Sequence, residues 1–287
     1  MKKGWLVVNA FLKSAKFENV YNLLVKSAQA RGIELCVRYA TDLLLPVDKN
    51  WQEKPDFVLF WDKDVSLARR LQKIAPVFNS PKAIELCDNK ILTAETLANF
   101  GVKTPKTLLA PKTFENVGYN GALLDGVERF LSYPFIIKEA YGSFGQQVYL
   151  AKTRLQAEEI LQKIGGKDCL FQEFIHQSAG RDIRVNVVGD KVICAMLREN
   201  AGDFRSNISS GGTAKAITLT SEQEELALRA CRALGTDFAG VDILLGDEPL
   251  VCEVNSNPSF QSTIDYTGVD LSAYILGYID ERLAHLR

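Results

Sequence analysis

Asp242, Glu253 and Asn255 are polar residues set into apolar runs, Gly240-Val241-Asp242-Ile243-Leu244-Leu245 and Leu250-Val251-Cys252-Glu253-Val254-Asn255. An ionised carboxylate in such a strand needs a compensating partner to offset its desolvation. Side chains alternate along a strand, so Glu253 and Asn255 share one face, and Asp242 on the neighbouring strand can bring a third oxygen to them. Hard cations such as Mg2+ take carboxylate, amide and water oxygens and complete their shell with nucleotide phosphates. An ion pair with a distant Lys or Arg would serve the same carboxylates, and strand placement alone leaves both readings open.

Lys138 ends the apolar run Phe135-Ile136-Ile137 and precedes Tyr141-Gly142-Ser143-Phe144-Gly145. Gly142 and Gly145 allow the backbone to approach an anion closely, which suits phosphate; glycines at a hairpin tip also serve simply to supply positive φ. No GxxxxGK[ST] and no GxGxxG occurs, so a phosphate site here needs an architecture other than the P-loop or the dinucleotide fold. Asp182, Arg184 and Asn186 alternate with Ile183, Val185 and Val187, giving a strand with one polar face suited to line a cleft. Arg198 ends another apolar strand, and Asp203-Phe204-Arg205-Ser206-Asn207 precedes Gly211-Gly212, so two guanidinium groups are available to hold a carboxylate or phosphate. Solvated loop charges are the plainer account of each residue taken singly. The two histidines, His176 and His285, are far apart, which excludes zinc sites built on histidine pairs. Neither is accompanied by a GxSxG elbow, which argues against a nucleophilic hydrolase.

The elements that must position these groups can be read from periodicity. Short apolar runs alternate with helical patterns at Trp5–Asn9, Phe17–Arg31, Ile33–Ala40, Asp56–Trp61 and Asp64–Ile74, with a further candidate strand at Pro76–Asn79. This βαβ rhythm predicts a small open parallel sheet over residues 1–88. A helical stretch is predicted from Asp88 to Phe100 with Gly101 as its stop. After the Gly/Asn-rich segment Gly118–Gly126, a hairpin of Phe135–Lys138 and Val148–Leu150, a helix Leu155–Ile164 and the run Cys169–Phe171 form an α+β lobe. A second lobe opens with a tight hairpin turning at Gly189-Asp190, continues through a helix Glu222–Leu234 and ends in the hairpin carrying Asp242 and Glu253. The fold class is thus α/β and α+β.

Apolar residues are 47% of the 287 and charged residues 24%, which is ordinary globular usage. A formal net charge of -1 and no dense basic run argue against a nucleic acid or anionic membrane partner. No apolar stretch approaches the roughly 20 residues of a spanning helix, and the N-terminus reads as a strand rather than a signal. Six cysteines scattered singly, without CxxC, are read as reduced thiols in a cytoplasmic protein.

Taken in order, Asp88-Asn89-Lys90, Pro134–Lys138 with its glycine loop, Gln172-Glu173-Phe174-Ile175, Gly180-Arg181-Asp182-Ile183-Arg184, Asp203–Asn207, and Gly240-Val241-Asp242 with Glu253-Val254-Asn255 resemble the RimK-like ATP-grasp ligases. The resemblance runs from about Asp88 to the C-terminus. It implies a pre-ATP-grasp domain over 1–88 followed by an ATP-grasp domain over 89–287, with a lid lobe near 103–175 and a C-terminal lobe near 176–287.

The resemblance also implies roles. Lys90 and Lys138 would hold ATP phosphates under a lid formed by Gly142, Ser143 and Gly145. Gln172, Glu173, Phe174 and Ile175 would border the adenine, Asp182 would meet the ribose, and Arg205, Ser206 and Asn207 would be further ATP contacts. Asp242, Glu253 and Asn255 would be the ligands of Mg2+, with Mn2+ as the alternative ion, and Arg198 would be the catalytic electrostatic residue. The implied activity joins a carboxylate of a peptide, protein or small molecule to the amine of an amino acid, glutamate-like by family, through an acyl phosphate; a homo-oligomer is allowed. Two alternatives stand beside it: an ATP-binding regulatory module without turnover, and a ligase of another ATP-grasp branch. Ser209-Ser210 before Gly211, and Ser256-Asn257-Pro258-Ser259-Phe260-Gln261 after Asn255, depart from the ribosomal-protein glutamate ligases, and both segments are expected to border the acceptor or the incoming amino acid.

Overall fold

The computed structural model describes every residue except 13, 50, 115, 116, 144, 209, 210, 286 and 287, and residue 16 without its side chain. Phe144 of the glycine loop and the Ser209-Ser210 pair therefore lie outside the described residues.

The N-terminal βαβ rhythm is realised as β1 (Lys2–Val8), α1 (Ala15–Gln29), β2 (Ile33–Tyr39), β3 (Phe57–Trp61), α2 (Val65–Leu71) and β4 (Val77–Phe78). The strands pair in parallel in the order β2-β1-β3-β4, as the alternation predicted. The predicted helix from Asp88 to Phe100 is instead the second of two, α3 (Pro81–Asp88) and α4 (Lys90–Asn99). Ser80 caps α3 by accepting from Ala83 N at 3.2 Å, with Pro81 in the first turn where its missing N–H costs nothing. Asn89 leaves the helical region and caps α4 through Ile91 N and Leu92 N, at 2.9 and 3.3 Å.

The middle of the chain forms β5 (Thr107–Leu109), α5 (Gly121–Val127), β6 (Phe135–Glu139), β7 (Val148–Ala151), α6 (Arg154–Ile164) and β8 (Cys169–Glu173). These strands make an antiparallel sheet in the order β5-β8-β6-β7, with the expected β6–β7 hairpin at its edge. The Gly/Asn-rich segment holds α5, which Asn120 caps at 3.1 Å from Ala122 N and whose Leu124 and Val127 are buried beneath it.

The last lobe comprises β9 (Arg181–Val188), β10 (Lys191–Glu199), β11 (Thr213–Ala216), α7 (Ser221–Leu234), β12 (Phe238–Leu245), β13 (Pro249–Asn255), α8 (Gln261–Thr267) and α9 (Leu271–His285). Its antiparallel sheet runs β11-β10-β9-β12-β13. Ile183, Val185, Val187, Val241 and Ile243 bury one face of it with Leu226, Ala230 and Leu234 of α7. The polar face turns toward the site.

Helices α8 and α9 were not anticipated from periodicity, and they tie the ends of the chain together. Ile275, Leu276, Ile279 and Leu283 of α9 share one core with Val20, Leu24 and Ala28 of α1 and with Leu6, Val8 and Leu59 of the parallel sheet. Trp61 stacks on Phe238 at 5.4 Å and meets Phe260 edge-on at 5.8 Å, joining the parallel sheet to the last one. Asn79 reinforces this joint by donating to Phe238 O at 2.9 Å and Ser256 O at 2.8 Å.

Asp237 sits at the same joint, accepting from Tyr278 Oη of α9 at 3.1 Å. Burial pushes its carboxyl from 3.8 up to about 6, against the smaller pull of Tyr278 and Arg282. A carboxyl whose folded pKa is raised binds its proton more tightly when folded, so its contribution declines as pH rises from the unfolded value through the folded one. Asp237→Asn should therefore stabilise the protein above pH 6 by about 1–3 kcal/mol and make little difference below about pH 4. Urea denaturation of both proteins across this range measures the difference.

Candidate active site

Two clefts meet on the polar face of the last sheet. The first, of about 780 Å³, lies between the β5-β8-β6-β7 sheet and the β9–β13 region, and it gathers most of the predicted residues: Lys90, Lys138, Gly145, Gln172, Glu173, Phe174, Ile175, Asp182, Arg198, Arg205, Ser206, Asn207, Asp242 and Glu253. The second, of about 1230 Å³, takes Gly142, Ser143 and Asn255, and runs on to the carboxyl ends of β1 and β3. Gly145, Arg198, Asn207, Asp242 and Glu253 border both.

At the shared border lies a buried row of charges. Arg198 donates from Nε and Nη2 to Asp182 at 2.7 and 2.6 Å, and its Nη2 is 3.0 Å from Asp242 Oδ2. Arg184 holds Asp242 from the other side with Nε and with Nη2, the latter at 2.9 Å. Strand register builds this row, because Arg198 faces Asp182 across β10–β9 and Arg184 faces Asp242 across β9–β12. Burial works against every charge in it. For Asp242 the two arginines outweigh burial and hold its carboxyl low, whereas burial and the Asp242 charge together raise Asp182 despite Arg198. The ion-pair reading of Asp242 is thus what the protein alone displays, with Arg184 and Arg198 as the partners. Sequence reasoning placed Arg184 on the polar face without assigning it to the site; the signal was its alternation with Ile183 and Val185.

The lysines are differently placed. Lys138 is 7% exposed, and its Nζ lies 3.4 Å from Cys252 Sγ. Among the described residues no carboxylate is within 4.0 Å of it. Lys90 Nζ donates to Gly142 O at 3.2 Å and stands 4.0 Å from Glu253 Oε1. Burial lowers its pKa, and the charge of Lys138 adds to that while Glu253 opposes it. Two buried ammonium groups facing one partly exposed carboxylate leave a deficit of negative charge that an anion would fill.

The glycine loop is pinned above them. Gly142 and Gly145 have φ of 152° and 73°, and a Cβ on Gly142 would come within 2.3 Å of Gln147 Oε1, which accepts from Ser143 N at 3.2 Å. Arg205 Nη1 donates to Gly145 O at 2.6 Å, while its remaining donors grip Asp203, whose carboxyl that grip holds low. The positive-φ account of these glycines is therefore realised, and Gly145 borders both clefts. At the far end, Gln172 Nε2 donates to Thr107 Oγ1 at 2.9 Å, and Phe174 meets Phe204 edge-on at 6.4 Å. Ile136, Val148, Leu244 and Phe204 give this end apolar walls. Ile136, Val148 and Leu244 were not singled out from the sequence, because an apolar residue in a strand reads as core.

For a cation, Glu253 and Asn255 lie on the same face of β13 along the second cleft, with Asp242 opposite Glu253 in register. A bulge at Cys252 sets that register. Glu253 is engaged only at 4.0 Å by Lys90, and Asn255 Nδ2 donates to Gly240 O at 3.4 Å. Among the described residues no group of three or more His, Cys, Asp or Glu could hold a metal. Two carboxylates and an amide oxygen fit a hard cation that takes its other ligands from phosphates and water.

Residues 87–279 match the RimK-like ATP-grasp domain. The chain belongs to the RimK-like ATP-grasp family. A probable alpha-L-glutamate ligase of Marinobacter nauticus is 37% identical over 228 residues, 78% of this chain and 73% of that protein. An uncharacterised protein of Mycoplasma pneumoniae is 32% identical over 94% of this chain and 96% of its own. The fold is shared with a RimK-domain ATP-grasp protein of Sphaerobacter thermophilus, with a TM-score of 0.74 at 21% identity over 97% of this chain and 99% of that one. It is shared too with a D-cycloserine synthetase, with a TM-score of 0.77 at 17% identity over 98% and 99%. This RimK-like protein is an ATP-grasp carboxylate–amine ligase, and the shared fold at low identity says nothing of its substrates.

The buried charge row should matter to stability as well as to the site. Arg198→Met leaves Asp182 and Asp242 facing one arginine, and should cost about 3–5 kcal/mol in urea unfolding near neutral pH. The deficit should shrink as pH falls from neutral, because burial raises the Asp182 carboxyl and, once unpaired, it takes up a proton on folding.

Proposed function

We propose that the first cleft holds ATP with its base toward Phe174, Ile175 and Leu244 and its phosphates toward Lys90 and Lys138, and that the second cleft holds the carboxylate and the amine to be joined. The observation that carries this reading is the pair of largely buried lysines, Lys90 and Lys138, facing a single partly exposed carboxylate, Glu253, near the point where the two clefts meet. Asp182, Gln172 and Glu173 would face the sugar and base edge, and Arg205, Ser206 and Asn207 would support the glycine loop over the nucleotide. Asp242, Glu253 and Asn255 would hold Mg2+, or Mn2+ in its place, which when bound neutralises phosphate charge and orients the terminal phosphoryl group.

The chemistry asked of the residues is then electrostatic. A substrate carboxylate oxygen attacks the γ-phosphorus of ATP, giving an acyl phosphate and ADP. The incoming ammonium gives up a proton, and the neutral amine then attacks the carbonyl carbon, expelling phosphate and losing a second proton as the amide forms. Lys138 and Arg198 would stabilise the charge on the transferring group, and a glycine loop closed by Lys90 and Arg205 would keep water from the acyl phosphate. Arg198 commits Nε and Nη2 to Asp182 and Asp242, so Nη1 is the group that would turn to phosphate. We infer an amino acid, L-glutamate by analogy with the curated relatives, as the amine, and a peptide, protein or small molecule as the carboxylate.

With ATP, Mg2+ and hydroxylamine, the protein should release ADP and form a hydroxamate from the carboxylate it accepts. Lys138→Met should reduce both by about 10²–10³-fold with the fold intact by circular dichroism. Absence of hydroxamate and of ADP across amino acids and short peptides would refute the ligase reading for these clefts.

A further inference from the structure

The second cleft contains a buried carboxylate that the reading above leaves without a role. Ligands of parallel α/β sheets bind beyond the carboxyl ends of the strands, and here β1 and β3 deliver Asn9 and Asp62 to the cleft. Asp62 is 9% exposed. Its oxygens accept from Lys63 N at 2.7 Å and from Asn9 Nδ2 at 3.2 Å each. Among the described residues no Lys, Arg or His side chain lies within 4.0 Å of them. The neighbouring Lys63 is turned away, with its Nζ 2.5 Å from Asp88 and 3.2 Å from Ser143 Oγ. An aspartate buried among dipoles without a cation is costly to maintain, and its burial pushes its pKa up accordingly.

The surroundings fit a cation that enters with the substrate. Phe17, Tyr21 and Trp61 line the cleft beside Asp62 and offer aromatic surface. Among the described residues, Asn257 Oδ1 and Ser259 Oγ, buried in the same cleft, have no hydrogen-bond partner. Asn257 Nδ2 donates to Asp62 O at 2.6 Å, which fastens the end of β3 to the turn two residues beyond Asn255. An ammonium group held here would sit between the parallel sheet and the end of the hairpin that carries Glu253. Its three donors match a carboxylate and two spare acceptors.

We propose that Asp62 recognises the ammonium group of the incoming amine co-substrate, with Asn257 Oδ1 and Ser259 Oγ as the accompanying acceptors. The proposal rests on the ligase reading and gives it a specificity residue in the N-terminal sheet, outside the matched domain. It also accounts for the turn Ser256–Ser259, where the chain departs from the ribosomal-protein glutamate ligases.

The test offers the full chain two amines with ATP, Mg2+ and a set of carboxylates comprising N-acetyl-L-glutamate and acetylated peptides ending in glutamate. L-glutamate carries its ammonium at neutral pH, whereas hydroxylamine is uncharged. Asp62→Asn should raise KM for L-glutamate by about tenfold or more, leave KM for ATP unchanged and keep hydroxamate formation within about twofold, because only the charged amine loses its partner. Asp62→Glu should recover part of the loss. Equal use of L-glutamate by wild type and Asp62→Asn overturns the proposal and leaves the ligase reading intact. Parallel loss of adduct and hydroxamate in Asp62→Asn also overturns it, since the residue would then act on phosphoryl transfer or on the fold. A wild type that forms neither product overturns the ligase reading and this inference with it.

Discussion

The row Asp182–Arg198–Asp242–Arg184 is the constraint on which the rest of the site depends. Four buried charges on adjacent strands cost several kcal/mol each to desolvate, and they are tolerable only because every carboxylate oxygen in the row meets a guanidinium donor. That match requires β9, β10 and β12 to hold their register, so the hydrophobic packing of Ile183, Val185 and Val241 on α7 serves the polar face as much as the core. A slip of one residue would turn the charges into that core. The row is neutral as a whole, and the excess positive charge of the site therefore comes from Lys90 and Lys138 on other elements.

Those two lysines arrive from separate parts of the fold, one at the first turn of α4 and one inside β6. Backbone helps to place them, since Lys90 N donates to Ala140 O at 2.9 Å, so the start of α4 is tied to the strand end that leads into the glycine loop. Ser143 is reached from the end of the N-terminal sheet by Lys63, Gly142 by Lys90 and Gly145 by Arg205 from the connection between β10 and β11, so the described residues of the glycine loop are tied to three parts of the fold.

Much of the framework was legible because periodicity and punctuation agree: the parallel sheet, the β6–β7 hairpin, the Gly189-Asp190 hairpin and the hairpin of β12 and β13 all combine apolar runs with turn residues. Asp242 and Glu253 stood out because charge inside an apolar strand has few explanations. The partners of Asp242 were less legible, since Arg184 lies 58 residues away and only sheet order makes them neighbours. The break at Asn89 was missed because one capping residue between two helical patterns scarcely disturbs the periodicity. Helices α8 and α9 escaped because their partners are α1 and the far end of the chain, and Ile136, Val148 and Leu244 read as core until two sheets are set face to face.

Asp62 illustrates the limit more generally. In the sequence it merely ends the run Phe57–Trp61 and precedes two further charges, so solvation is the natural account. Only the stacking of Trp61 on Phe238 and Phe260, and the bond from Asn257, turn that strand end inward and strip its water. The same joint that unites the first and last sheets thereby places a buried negative charge in the second cleft. A cationic group would be drawn toward Asp62 by that charge, and the polarity of this end of the second cleft thus follows from how the two sheets are joined.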